Sequence, residues 1–349
     1  MSPLESSVVK GVAIVFIVLH NYLHWVSPSP EENEFRFKSH NAQELITQLQ
    51  TQPSDSYRIL FSYYGHYAVH IFFFLTGYAF MMKHREQSPH YFNFQKRRWK
   101  ALYPAIIAAA IGYFIYDGFR LGWAHTFQTE GLNLIRQATG ISNFIPDNIY
   151  HPIGPWWFIG VILQAYLLLP LLIKWTQRHG VKIIYVTIIL SYLCQYFIRD
   201  YTDQQFDLNL YHTILGHLDV LGLGMLFAYS GTFKIPIWGI ALAIIIFFIS
   251  SLSAPLWKFS DLIFLIALLP LLRQIKATGS LGRVFTFLGG LSMYLFLCNG
   301  YLRRPLINIA TDTPHWLTSI WSSLLFLALV ILWSLALRYI VNKFSKVSN

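Results

Sequence analysis

Charge is what this sequence lacks most: 12% of its 349 residues are Asp, Glu, Lys or Arg. A soluble domain carries roughly twice that share, so a solvent-bathed globular fold is excluded. Cysteine is scarce as well. Cys194 and Cys298 both fall in apolar runs, which excludes a disulfide framework and a zinc-type spacing. Short alternating apolar and polar segments are missing, which excludes a membrane β-barrel. Internal repeats, a low-complexity tail and a soluble second domain are not visible, leaving one integral-membrane domain over residues 1–349. The first apolar run is followed only by Trp25-Val26-Ser27-Pro28, with no small-residue cleavage site, so it reads as a retained span.

What is present is long apolar runs, 55% of residues being hydrophobic. The runs have the length a membrane-spanning helix needs. The sequence therefore predicts an all-α polytopic membrane protein with ten spans. They lie at 8–26, 57–82, 101–118, 154–173, 183–199, 211–230, 235–251, 257–273, 284–302 and 317–340. An even count puts both termini on one side. The net charge of +10 does not point to nucleic acid, because the basic residues collect at the ends of apolar blocks. With the N-terminus inside, the inner face receives Lys10, Lys83, Arg85, Lys96, Arg97, Arg98, Lys100, Lys174, Arg178 and Lys182. It also receives Lys234, Arg273, Lys276, Arg283, Arg338, Lys343 and Lys346. The outer face receives Glu31, Glu32, Glu34, Asp200, Asp203 and Asp207, with Arg303 and Arg304 as exceptions. This asymmetry predicts cytoplasmic N- and C-termini. Two outer segments, 27–56 and 119–153, are expected to be long loops without clear secondary structure, a class that is often functional.

The first run, from Lys10 through Gly-Val-Ala-Ile-Val-Phe-Ile-Val-Leu, ends in His20-Asn21-Tyr22-Leu23-His24. A helix starting at Lys10 carries His20 roughly 15 Å along its axis, near the middle of a hydrocarbon core about 30 Å thick. Ionisable groups at that depth are costly and face a bundle interior or a cavity. His20 and His24, at i and i+4, share a helix face. The spacing suits a metal, but no third ligand has an identifiable spacing, and no metal is predicted. A polar interhelical contact is the alternative; a general base is favoured, since burial promotes neutral imidazole. His66 and His70 repeat the spacing ahead of Phe72-Phe73-Phe74-Leu75-Thr76-Gly77, whose last two residues form a small notch for helix packing.

Further along, Lys96-Arg97-Arg98-Trp99-Lys100 precedes Tyr103-Pro104 in what reads as an inner loop. Such a cluster suits the phosphates of a nucleotide-like cofactor or anionic lipid headgroups. Trp156 and Trp157 open the fourth span and Gln164 and Tyr166 follow within it. Paired tryptophans also suit an interfacial belt, and a buried glutamine a helix contact. Asp219 and Asp261 are intramembrane carboxylates, for which pairing is the expected role.

In succession these segments resemble the acyltransferase 3 family of integral-membrane acyltransferases. The matching residues are Lys10-Gly11-Val12-Ala13-Ile14…His20, Phe72-Phe73-Phe74-Leu75-Thr76-Gly77 and Arg97-Arg98-Trp99-Lys100…Tyr103-Pro104. Trp157…Gln164-Ala165-Tyr166…Pro170 and Leu288-Gly289-Gly290-Leu291-Ser292 follow in order. The chain also departs from the family pattern. Many members place ten residues between the basic residue and the histidine, a spacing that would select Asn21. The glutamates that often precede the glutamine are Ile162 and Leu163 here. The histidine that often ends the late helix is Asn299, and an arginine often found before Tyr-Pro is Ala101.

The resemblance implies transfer of an acyl group, most often acetyl, from cytoplasmic acyl-CoA to a hydroxyl of a cell-surface glycan or lipid-linked sugar. It implies a multi-pass protein of a bacterial inner membrane, with the lipid bilayer, acyl-CoA and a carbohydrate acceptor as partners and no nucleic acid; self-association is left open. His20 would be a general base or the carrier of a covalent acyl-histidine relay, with Asn21 a nominee for stabilising the oxyanion and His24 for hydrogen-bonding the sugar. Lys10, Arg97, Arg98 and Lys100 would hold the donor's phosphates. His66, His70, Trp156, Trp157, Gln164 and Tyr166 would contact substrate. Two other readings are a transporter or flippase of a lipid-linked glycan and a non-catalytic membrane scaffold. No repeated half or matched pair of interrupted spans favours the transporter.

Overall fold

The capping signals at the N-terminus set the first helix before any packing does. Ser2 accepts from the Glu5 amide at 3.1 Å, while the Glu5 carboxylate accepts from the Ser2 amide at 2.7 Å, a reciprocal capping box. With Pro3 in the first turn this starts α1 (Pro3–Leu23). The computed structural model describes residues 1–231, 235–313 and 315–347, with side chains to residue 344. Lys234 lies outside the described residues, as does the side chain of Lys346.

After α1 come α2 (Ser39–Thr51), α3 (Ser56–Tyr64) and α4 (Ala68–Lys83), the last two joined by the 3-10 turn Gly65–Tyr67. Then run α5 (Tyr91–Leu121), α6 (Trp123–Thr129), α7 (Gly131–Thr139), α8 (Trp157–His179), α9 (Lys182–Leu193) and α10 (Arg199–Phe206). The chain ends with α11 (Leu218–Ser230), α12 (Ile237–Ser251), α13 (Ser260–Leu272), α14 (Ser280–Cys298), α15 (Arg304–Asp312) and α16 (Trp316–Val347). No strand occurs among the described residues, as the sequence predicts.

Among the described residues, seven stretches are long and apolar enough to cross a membrane: Pro3–Leu23, Pro53–Lys83, Tyr91–Leu121, Gly154–His179, Lys182–Phe206, Ser280–Cys298 and Trp316–Phe344. They correspond to the expected spans one to five, nine and ten. Spans six and seven correspond to the shorter apolar helices Ile214–Ser230 and Ile237–Ser251. The segment expected as span eight holds α13, 13 residues long. At 1.5 Å per residue such a helix is roughly 20 Å, short of a full hydrocarbon core.

Two expectations need correction. The outer segments are not structureless: 27–56 contains α2, and 119–153 contains the end of α5, all of α6 and α7, and the 3-10 turn Ile141–Phe144. These helices are too short and polar to leave a span-like signature. The basic stretch is not a loop either. Helix α5 begins at Tyr91, so Lys96 to Lys100 lie on it, and Pro104 sits inside it. Nothing between Tyr91 and Pro104 breaks a helix, and Lys, Arg and Gln are good helix formers.

The chain divides into two compact units, Met1–Phe72 with Ile235–Tyr339, and Phe73–Lys234 with the C-terminal tail. Each is tied together by close helix contacts at glycines. In the first, a Cβ on Gly11 of α1 would overlap the Phe285 carbonyl of α14, and one on Gly289 would overlap the Ser7 carbonyl. In the second, Gly77 of α4 and Gly224 of α11 meet the Leu221 and Phe74 carbonyls in the same reciprocal way. With no hydrophobic drive between helices in lipid, such small-residue contacts are what permit close packing. The notch read at Thr76-Gly77 is one of them.

Candidate active site: a histidine and carboxylate cluster at the end of the first helix

His20 sits in the last turn of α1, with 5% of its surface exposed. Its Nδ1–H donates to the Phe61 carbonyl of α3 at 3.0 Å. A carbonyl only accepts, so the proton resides on Nδ1, and Nε2 keeps its lone pair. Gly65 makes this placement possible. A Cβ there would lie 2.5 Å from the His20 Cβ, closer than carbon atoms pack. The next residue, His66, brings its ring to 5.8 Å from that of His20, and the His24 ring stands at 5.6 Å.

The chain then folds back over these rings. His24 Nδ1 pairs with Glu32 Oε2 at 2.5 Å. A carboxylate oxygen of Glu32, one of Glu34 and a His20 ring nitrogen all lie within 4.8 Å of one another. Asn33, the residue between the two glutamates, holds them there. It is 1% exposed; its side chain donates to the Tyr63 hydroxyl at 3.0 Å, and its carbonyl accepts from the Trp257 indole at 2.7 Å. Its Oδ1 also accepts from the Lys38 amide at 3.0 Å.

Glu32 and Glu34 lie in the connection outside the spans, and their environments push them apart. Burial alone would raise the Glu32 carboxyl, but the hydrogen bond and charge of His24, with the fields of His20 and His66, carry it down to about 2. Burial raises Glu34 well above the usual carboxylate range, and the negative charges of Glu32 and Asp261 add to that. Divergent neighbouring carboxylates are the arrangement from which acid and base roles are drawn. Further along α4, His70 Nε2 meets Asp261 Oδ1 of α13 at 3.2 Å, so Asp261 has the pairing role expected of it. Asp219 accepts from the Ser191 hydroxyl at 3.2 Å.

The sequence candidates thus separate. His20, His24 and His66 come together. Asn21 points elsewhere: its Nδ2 donates to Asn299 Oδ1 of α14 at 2.9 Å. The residue that follows His20 is thereby tied to the C-cap of α14. Arg303, an exception to the charge asymmetry, has a local partner, donating to the Asn21 carbonyl at 2.8 Å and standing 4.7 Å over Trp25. Lys10 is half-buried on α1.

The remaining candidates are in the second unit. Trp156 and Trp157 are buried, at 0% and 5% exposure, so they form no lipid-facing belt. Gln164 Oε1 accepts from the Ile214 amide at 3.0 Å, and its buried Nε2 has no hydrogen-bond partner. The Tyr166 carbonyl accepts from Gln95 at 2.7 Å. The basic stretch splits by helix phase. Lys96, Arg97 and Lys100 are exposed, while Arg98 turns inward, 5.0 Å from the Phe80 ring centre and 5.8 Å from that of Phe94.

Glu32 and Glu34 are what the sequence reading passed over, counting them only as outer acidic charge. The available signal was their i, i+2 spacing around an asparagine, shortly after a helix ending in two histidines. A family model described as an acyltransferase domain matches residues 5–339. No curated protein and no solved structure matches the chain.

Proposed function

This chain belongs to the acyltransferase 3 family and is a multi-pass membrane acyltransferase, and on that premise we propose that it moves an acyl group, acetyl in the first instance, from cytoplasmic acyl-CoA to a hydroxyl of a cell-surface glycan or lipid-linked sugar. The setting is a bacterial inner membrane with both termini cytoplasmic. The observation that carries the reading is the His20 imidazole, locked by Phe61 in the tautomer with a free Nε2 and placed beside two carboxylates.

In this mechanism Nε2 takes the proton of the acceptor hydroxyl as its oxygen attacks the thioester carbonyl carbon. The new C–O bond forms, the C–S bond breaks, and the CoA thiolate leaves and recovers the proton from the imidazolium. The negative charge of Glu32 favours that imidazolium while it exists. General-base assistance of this kind contributes about 10²–10⁴-fold. Arg97, Arg98 and Lys100 are assigned to the donor's phosphates through charge-assisted hydrogen bonds, with Lys10 as a fourth candidate. His66 and His24 border the acceptor, while Asn21 acts on the reaction only through the α1 to α14 contact.

Mass spectrometry of surface glycans tests this, using cells with the intact protein, without it, and with His20→Ala. A defined acyl mass present only with the intact protein is the expected result. Undiminished acylation by a well-expressed His20→Ala protein overturns the reading.

A further inference from the structure

The geometry points to a divalent-cation site built from His20 Nε2, Glu32 and Glu34. Elsewhere histidine meets carboxylate in pairs, His70 with Asp261 and His151 with Glu130 at 3.0 Å, and a pair does not enclose an ion. Among the described residues, three such donors converge only here, within 4.8 Å of one another.

Three further features fit a ligand set. The Nδ1–H of His20 is committed to a backbone carbonyl at 3.0 Å, the arrangement that orients metal-binding histidines and raises the basicity of the other nitrogen. Glu32 spends Oε2 on His24, which leaves Oε1 to a metal and gives that ligand its own outer support. Glu34 is half-buried, with a carboxylate oxygen within 4.8 Å of one from Glu32, and a cation between the two carboxylates offsets their mutual repulsion. The site also exists before any ion arrives, because Asn33 fixes the connection to Tyr63 and Trp257.

The donors select the class of ion. One imidazole nitrogen with two carboxylate oxygens suits a borderline transition cation such as Zn²⁺, with a further position left open. Ca²⁺ prefers six to eight oxygens and is disfavoured. Bonds to such an ion are about 2.0–2.2 Å long, so the three donors must close in from a separation of up to 4.8 Å. Binding of the ion does not depend on the acyl-transfer reading, but its consequence rests on that reading. The cation takes the nitrogen that would accept the proton, so occupancy and transfer exclude one another.

The test uses the full chain, purified in detergent, stripped with a chelator and titrated with Co²⁺ as a spectroscopic probe. One equivalent of Co²⁺ with visible d–d bands is expected, displaced by Zn²⁺ and not by Ca²⁺. Both His20→Ala and the near-isosteric Glu34→Gln should weaken it at least tenfold, with metal-free melting and elution unchanged in Glu34→Gln. Absent bands, or affinity undiminished in both variants, overturns the site. Zinc should suppress acyl transfer by the stripped protein; transfer that persists with the site filled overturns the mutual exclusion. Cobalt binding at this site in a protein that transfers no acyl group would leave the cation site standing and remove the acyl-transfer reading alone.

Discussion

His20 in the first unit and His217 in the second are both enclosed histidines next to apolar helix, with 5% and 2% exposure, yet their surroundings are opposite. The His217 ring stacks on Phe73 with centres 4.4 Å apart and lies 6.0 Å from Trp157, and its Nε2–H donates to the Tyr211 carbonyl at 2.9 Å. Its neighbour His212 shares a 2.6 Å hydrogen bond with the Tyr150 hydroxyl. Aromatic faces enclose that pair. The His20 ring is surrounded by two other imidazoles and two carboxylates, and its Nε2 is free. Burial is alike at the two rings, and what differs is the identity of the groups that enclose them.

Removing the two rings in turn is the harshest trial of that contrast. His20→Ala should lower acyl transfer about 10²–10⁴-fold while the protein elutes and melts like the parent. A loss of that size in a folded His217→Ala protein would break the comparison. Next in size is Gly65→Ala, whose Cβ must displace His20. Misplacing a reacting group by about 1 Å costs on the order of 10²-fold, and rate measurements on a variant of intact fold should find a loss of about 10- to 100-fold.

The packed histidine should answer in stability. His217→Ala forfeits the ring stack on Phe73 and the hydrogen bond to the Tyr211 carbonyl, together about 1–3 kcal/mol, readable from thermal unfolding in detergent. The smallest effect belongs to His24→Ala. The Glu32 carboxyl is depressed in the folded protein to about 2, so its stabilising contribution is complete above the unfolded value of about 4.3 and is lost as pH falls towards 2. Without His24, burial acts on Glu32 unopposed by its nearest partner, and the acid limb of the melting curve should move to higher pH. An unchanged acid limb would show that the His24 contact does not hold the connection in place.

The sequence made His20 legible, because a histidine ten residues into an apolar run has few bland explanations. It made the seven long spans legible for a similar reason, since span length is a local property. It does not distinguish Arg98 from Arg97 and Lys100, because a helix turns each successive residue by about 100° and the sequence marks no helix start at Tyr91. By sequence the paired tryptophans suit a substrate contact or an interfacial belt, and burial of Trp156 at 0% exposure removes the belt. Nor could the sequence foresee the Asn21 to Asn299 bond, which joins positions 278 apart.

Composition and order alone therefore determined that this is an all-α membrane protein of the acyltransferase 3 family, since run length and motif succession are one-dimensional properties. Only the tertiary structure decided which polar atoms meet. Glu32 and Glu34 reach His20 because Asn33 bonds to residues 30 and 224 positions away. Such closure depends on the packing of α1, α3 and the turn before α13, where a hydrogen bond over long sequence separation is fixed by helices already in contact and leaves no periodic trace in the chain.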